Sequence, residues 1–347
     1  MNTTQYTVFH LSHTDLDGYG SQFITKNYFQ NIRFYNSNYG KEIDERYAQI
    51  LADIQNVKAE KSVILITDLN LTPEQAKNFE ERLKNVKSSV KLILLDHHQS
   101  ADECAKKYPW YFLDSSRCAA KITYDFFSKI YGEKKRLGRL SEVINAVDIW
   151  LEDSADFELG KVCLNLISNA KELNRIMFDD ANTQYMFCLL QNVIKYTDKK
   201  EPHILLDDDT HSIKKSFFQN GGNDTLGNLV SKYNVEQLGK MKDKMTVFYK
   251  GYKAILTFNI GAVSVIGNNF LTQNPDYDFF MDVTSRKTVS FRANGKTNVS
   301  KIAFELANGG GHPNASGGTI AGFRDSFLYE NVKNQIINLL KSKEEST

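Results

Sequence analysis

The chain has 347 residues, 41% of them hydrophobic and 24% charged, which is ordinary globular usage and excludes disordered and fibrous classes. That length exceeds one ordinary core and implies two domains. A formal net charge of +1 excludes bulk attraction to polyanions, so any grip on phosphate must be local. In chain order, short apolar runs at 6–12, 32–36, 62–67 and 91–95 predict strands, and the segments 21–30, 43–57 and 73–87 predict helices between them. This alternation is the pattern of a parallel α/β sheet. The third helix has a clear start: Thr72 can cap it, Pro73 suits its first position, and Gln75 completes a capping box. Further helices are expected at 119–131 and 140–151. From 156 to 247 the text is helical and polar, with a break expected near 196–224. Beyond Lys250 the expectation changes to strands in "YKAILTFNI", "AVSVIGNN", "YDFFMDVTS" and "TVSFRANG". A helix at 299–306, a Gly-rich turn, the strand "GGTIAGF" and a terminal helix follow.

No apolar run approaches the roughly 18 residues of a membrane span, and the opening residues lack the pattern of a signal peptide. Cys104, Cys118, Cys163 and Cys188 form no C-x-x-C pair, which favours reduced thiols and a cytoplasmic location. Glycosylation sequons such as those at Asn2 and Asn298 carry no meaning in that setting.

Three strands of the first half run into acids and histidines. The first leads to His13, Asp15, Asp17 and Gly18, the third to Asp68, and the fourth to Asp96, His97 and His98. Ligands of open parallel sheets bind beyond the carboxyl ends of the strands, so the three groups are expected on one edge. Asp148 ends an apolar helix, where a charge calls for a partner. Carboxylates packed this closely repel one another, and divalent cations resolve the repulsion. Mixed His and Asp ligands without Cys suit Mn²⁺, Co²⁺ or Zn²⁺, and the oxygen-rich balance leans to Mn²⁺. Four Asp residues would cancel two dications in formal charge, which suggests a two-metal centre acting on a phosphoryl group.

"HTDLDG", the "TD" that follows a strand, "LLDHH" and "AVD" resemble, in order over residues 6–150, the motifs of the DHH phosphoesterase superfamily, which includes RecJ-type exonucleases and nanoRNases. The resemblance implies that His13, Asp15 and Asp68 hold one metal ion, and that Asp17, Asp68, His97 and Asp148 hold a second, with Asp68 bridging. It further implies that Asp96 orients a ligand histidine and that His98 faces the substrate phosphate or its leaving oxygen. The stretch "SFRANGKTNVSKIAFELANGGGHPNASGG" is similar to the DHH-associated C-terminal domain. Glycines such as Gly310 and Gly311 let backbone N–H groups approach a phosphate, while Arg292 and His312 can donate charge-assisted hydrogen bonds to it.

The expected fold is therefore α/β in two domains. An N-terminal parallel-sheet DHH domain with a helical extension spans 1–195, a linker and connecting helix span 196–247, and a smaller mixed-sheet substrate-binding domain spans 248–347. The expected activity is Mn²⁺-dependent hydrolysis of short oligoribonucleotides or linear dinucleotides to nucleoside 5′-monophosphates, by a hydroxide activated between two ions. Cyclic dinucleotides and 3′-phosphoadenosine 5′-phosphate stay open as substrates. Polyphosphatase or pyrophosphatase activity fits less well, because relatives acting on pyrophosphate carry a lysine-rich C-terminal domain without Gly-Gly-Gly-His. A non-catalytic nucleotide sensor is disfavoured by intact residues at every motif. Neither a membrane nor a long duplex is an expected partner, and the sequence leaves monomer and homodimer both open. The basic run from Gly132 to Arg139 and the acidic run at 205–211 read as solvated surface and linker. Arg117 reads equally as a phosphate contact or as a surface helix start.

Overall fold

The structure, a computed structural model, describes residues 6–57, 61–86 and 89–345. Asn2 and Lys87, the expected end of the third helix, lie outside the described residues. Two compact units are present: one holds the chain up to Ala170 together with Thr183–Ile213, the other holds Lys171–Asn182 together with the residues from Lys214 onward.

The first unit is built on five parallel strands, β1 (Thr7–Ser12), β2 (Ile32–Asn36), β3 (Lys61–Thr67), β4 (Ser89–Asp96) and β5 (Tyr111–Leu113), in the order β2-β1-β3-β4-β5. The order reverses between β1 and β3, and that switch point opens a crevice at the carboxyl ends of both strands. Phe9, Leu11, Ile64, Ile66 and Leu94 are almost wholly buried, as strands covered on both faces require. Beneath the crevice the two central strands are stitched by polar side chains. Ser12 Oγ lies 2.7 Å from Thr67 Oγ1, which His10 Nε2 approaches to 2.9 Å.

Helices α1 (Leu16–Lys26), α2 (Lys41–Asn56) and α3 (Pro73–Lys84) follow β1, β2 and β3, and α4 (Asp102–Lys107) precedes β5. Helix α3 carries the expected capping box between Thr72 and Gln75. Helix α1 starts earlier than the apolar periodicity predicts, because Asp15 caps it by accepting from the Gly18 amide at 3.0 Å. Helix α5 (Ala119–Tyr131) has the predicted bounds, whereas α6 (Lys135–Asp148) begins five residues early and absorbs part of the basic run. Arg139 in that run makes a bidentate pair with Asp156, at 2.9 and 2.8 Å, so it serves the fold. Helices α7 (Phe157–Ser168) and α8 (Asp179–Val193) come next. The break expected near 196–224 is present as two short non-helical stretches, 194–201 and 219–225, and is corrected between them by α9 (Pro202–Phe218), which carries the acidic run, with Asp209 accepting from the Tyr196 hydroxyl at 2.6 Å. Helix α10 (Leu226–Met245) completes the helical stretch.

The second unit holds β6 (Thr246–Tyr249), β7 (Tyr252–Phe258), β8 (Phe279–Val283), β9 (Thr288–Ala293), β10 (Gly310–His312) and β11 (Ala315–Thr319), ordered β10-β11-β9-β8-β7-β6. Only the pairing of β7 with β8 is parallel, so the sheet is mixed. A parallel pair needs a crossover, and "AVSVIGNN", expected as a strand, supplies it as helix α11 (Val263–Gln273). Its β-branched residues favour a strand locally, but Ile266, Phe270 and Leu271 form one buried stripe at helical spacing. Helices α12 (Val299–Ala307) and α13 (Tyr329–Glu345) complete the unit. The expected Gly-rich turn is in fact the edge strand β10, joined to β11 by a tight hairpin. A Cβ on Gly309 would lie 2.0 Å from the Gly317 carbonyl oxygen, whereas one on Gly310 would meet nothing within 4 Å.

This contrast yields a prediction. Gly309→Ala should destabilise the protein by about 1–3 kcal/mol, as overpacking does, while Gly310→Ala should stay within about 0.5 kcal/mol of the parent. Urea unfolding of the two variants side by side is the measurement.

Candidate metal centre

The three strand ends do converge. Among the described residues, three groups of ligand atoms lie within 4.8 Å of one another: His13, Asp15 and Asp68; Asp68, His97 and His98; and Asp17, Cys118 and Asp148. Asp68 belongs to two of them. His97 Nε2 links the groups, at 3.3 Å from Asp68, 3.7 Å from Asp148 and 3.8 Å from Asp17. On the other side, His13 Nδ1 donates to Asp15 Oδ2 at 2.8 Å and lies 3.7 Å from Asp68 Oδ2.

Local backbone chemistry explains each placement. His13 and Asp15 sit where β1 turns into α1, and a side chain at Gly18 would put a Cβ 2.3 Å from the His13 carbonyl oxygen. Only glycine allows that close return. Asp17, fully buried in the first turn of α1, accepts from the Ala119 and Ala120 amides at 2.7 Å each, at the N-terminus of α5. Asp68 holds a left-handed φ of 56°, an uncommon conformation for a non-glycine residue and one that collects at functional sites. Asp148 ends α6, and Asn145 one turn earlier accepts from the Cys118 amide at 2.8 Å, which ties α6 to the start of α5.

Asp96 bonds one of the two adjacent histidines. Its Oδ1 accepts from the His98 ring at 2.7 Å and from the backbone amides of His97 and His98, and its Oδ2 accepts from the Tyr111 hydroxyl at 2.7 Å. It therefore orients the ring of His98, not the ring of His97. Cys118, whose thiol bonds Asp17, and Tyr39, which touches two of the histidines, are absent from the residues the motifs single out. A tyrosine just beyond the end of β2, at the same sheet edge, was the available signal for Tyr39. Arg117 is engaged by carboxylates, Asp114 at 2.7 Å and Asp125, which decides its reading in favour of a helix start.

The electrostatics are those of a site short of positive charge. Burial, followed by the charges of Asp17, Asp15 and Asp148, drives Asp68 well above the usual carboxylate range. Burial and the Asp17 charge raise Asp148 to about 8. Burial lifts Asp17 to about 6, against hydrogen bonds from Cys118 and the two amides. Asp15 goes the other way: burial raises it, but the hydrogen bond and charge of His13 and the Gly18 amide outweigh that and bring it to about 2. Burial lowers His97, while the hydrogen bond to Asp96 raises His98. Asp68 Oδ2 is buried with no hydrogen-bond partner among the described residues. An orphaned carboxylate oxygen, raised acids and flanking imidazoles are the features a divalent cation would satisfy together, so the donor set fits a metal.

The substrate residues expected in the second half lie together in the second unit. Arg292, Ala315 and His312 are opposite one another across β9, β11 and β10, so Arg292 and His312 share one face of the sheet. The guanidinium of Arg292 donates to the Phe291 carbonyl at 2.7 Å and to Ser264 Oγ at 2.9 Å. His312 and Gly310 are exposed, and Gly311 has φ 145°. A Cβ on Gly311 would meet the Ala315 carbonyl oxygen at 2.6 Å, so hairpin packing by itself demands this glycine.

Residues 7–147 match the N-terminal domain of the DHH family. Over 340 residues the chain is 43% identical to the 3′,5′-cyclic-nucleotide phosphodiesterase of Helicobacter pylori, covering 95% of this chain and 97% of that protein. It is also similar to the crystal structure of an uncharacterized protein from Helicobacter pylori, with a TM-score of 0.92 and 41% identity over 97% of this chain and 99% of that one.

The raised acids set the sign of a pH effect. In metal-free protein, Asp17, Asp68 and Asp148 keep protons that the unfolded chain gives up, so stability falls as pH rises from about 4 through about 8. A divalent ion competes with those protons, so its stabilisation should grow over the same range. Thermal midpoints from pH 5 to 8, with a chelator and with Mn²⁺, should diverge as pH rises. Parallel curves would contradict the assignment.

Proposed function

This chain belongs to the DHH family, and on that premise we propose that it is a metal-dependent phosphodiesterase of small nucleotides. The observation that carries this reading is the convergence of His13, Asp15, Asp17, Asp68, His97 and Asp148 at the switch point of the parallel sheet. The near full-length likeness to a 3′,5′-cyclic-nucleotide phosphodiesterase supports cyclic mononucleotides as the first substrate class. Short linear oligoribonucleotides and dinucleotides are the second reading. It is favoured by the pairing of Arg292 and His312 on one sheet face, which suits one phosphate, not a long tract.

His13, Asp15 and Asp68 would hold one divalent ion, and Asp17, Asp68, His97 and Asp148 a second, with Mn²⁺ the best match to the oxygen-rich set. Ions bound there supply Lewis acidity to a phosphoryl oxygen and to an attacking water. The remaining chemistry belongs to the chain. Asp96 fixes the His98 ring with Nδ1–H directed at its carboxylate, and Nε2, which the Tyr39 hydroxyl holds at 3.0 Å before substrate arrives, would exchange a proton with the phosphate or its leaving oxygen once substrate displaces that hydroxyl. Within the second unit, Arg292 and His312 present on one sheet face the donors of charge-assisted hydrogen bonds that suit a phosphate. Gly310, which has open space about it, lets the backbone beside Gly311 come close to a phosphate bound on that face.

The test is product analysis with purified protein and Mn²⁺ on 3′,5′-cyclic AMP and GMP, linear dinucleotides, two- to five-residue oligoribonucleotides, longer strands, cyclic dinucleotides and pyrophosphate. Cyclic mononucleotides should be turned over, and a chelator should abolish the activity. Exclusive cleavage of short linear substrates would favour the second reading, and turnover of pyrophosphate alone would overturn both. Asp68→Ala should be the most damaging single change in activity. Arg292→Ala and His312→Ala should keep full metal content and weaken kcat/KM roughly 10- to 150-fold, the effect of losing a hydrogen bond to a charged group. Elemental analysis beside steady-state kinetics checks both statements.

A further inference from the structure

Tyr39 lies on the loop between β2 and α2, outside every group of candidate ligands. The loop is strapped to the site from both sides. The Ser37 amide donates to the Ser12 carbonyl at 3.0 Å, and Thr14, between His13 and Asp15, donates from Oγ1 to Asn38 Oδ1 at 2.8 Å. Asn38 in turn donates from its amide and its side chain to Glu42 Oε2, at 2.9 and 3.1 Å. Gly40 follows with φ 85° and no neighbour for a Cβ, and the chain then enters α2.

This bracing sets the Tyr39 ring against His13, with centroids 4.7 Å apart, and edge-on to His98 at 5.7 Å. Its hydroxyl lies 3.0 Å from His98 Nε2. Core packing does not account for the residue, because Tyr39 is 42% exposed and its neighbours here are imidazoles. The hydrogen bonds assign the protons. Both Asp96 oxygens act as acceptors, so His98 Nδ1 carries the hydrogen towards Asp96, and in the neutral ring Nε2 is the acceptor for the tyrosyl hydroxyl.

We propose that Tyr39 is a positioning residue that acts through His98. Its hydroxyl holds the imidazole at the edge opposite Asp96, so that ring orientation and tautomer are fixed from two sides before substrate arrives. The proposal rests on the reading of His98 as a group that faces the substrate phosphate. Asp96 alone leaves the ring free to swing about one hydrogen bond, and the second contact removes that freedom.

The experiment compares Tyr39→Phe, Tyr39→Ala, His98→Ala and the double variant Tyr39→Phe/His98→Ala, with Mn²⁺ and 3′,5′-cyclic AMP as the probe. Tyr39→Phe keeps the ring against His13 and should lower kcat roughly 3- to 12-fold, with KM and metal content within about twofold of the parent. In the His98→Ala background the same change should cost nothing further. Tyr39→Ala should lose at least as much as Tyr39→Phe. Unchanged kcat in Tyr39→Phe, or an equal loss in the two backgrounds, would overturn the proposal. A second readout needs no turnover. In ¹⁵N spectra recorded with the diamagnetic ion Mg²⁺, the His98 Nε2 resonance should move on Tyr39→Phe. If no phosphodiester is cleaved, the functional reading fails while the spectra still decide the contact, and an unmoved resonance refutes it.

Discussion

The mutual repulsion of buried carboxylates is the constraint around which the first unit is arranged. Asp17 and Asp68 are nearly inaccessible to water, and Asp15 and Asp148 stand close enough to raise the cost of ionising both. Desolvated charges of one sign are tolerated only where something else recovers the lost solvation. Asp17 meets part of that need from the amide ends of α5, whereas one oxygen of Asp68 has no such partner. The structure thus concentrates its unmet electrostatic demand at the atom where two groups of candidate ligands overlap. A dication is the economical answer, and the family membership of the chain agrees with it.

Much of the surrounding backbone serves to hold that arrangement. The left-handed Asp68 and the close return at Gly18 are costly in isolation and persist because neighbouring elements over-determine them. Helices α5 and α6 are tied to the cluster by hydrogen bonds to Asp17 and from the Cys118 amide to Asn145, and the second tie carries Asp148 to within 3.7 Å of His97. The polar ladder of His10, Ser12 and Thr67 fixes the two strands whose ends supply His13 and Asp68. Cluster and scaffold are therefore coupled, and changes in the ladder should be felt at the site.

The glycines of the second unit show how one motif can satisfy two demands. Gly309 and Gly311 are required by the hairpin of β10 and β11, where a Cβ would strike a carbonyl oxygen. Gly310 is under no such demand, so among the three it is the one whose conservation of space a ligand would explain. A triple glycine read from sequence alone merges these roles. The strand pairing separates them, and it also places Arg292 and His312 on the same face.

Strand-end acids and histidines, the α/β alternation and the Thr72 capping box were legible in the sequence, because each is a local pattern with a local physical cause. The grouping of His13, Asp15 and Asp68 was legible too, since parallel strands deliver their carboxyl ends to one edge. Elements whose local preference is overruled by packing were not. The β-branched run of α11 is helical because a parallel pair needs a crossover, and the polar stretch of α9 is helical where a break was expected. The pairing of Arg139 with Asp156 likewise depends on a residue 17 positions away. Which histidine Asp96 orients, and the contact of Tyr39 with His98 across 59 residues of sequence, are matters of tertiary geometry alone. Sequence determined the kinds of candidate ligand and the edge on which they gather, because those follow from strand direction. Only the tertiary structure decided which side chain holds which, because hydrogen bonds between distant segments are set by how the segments pack.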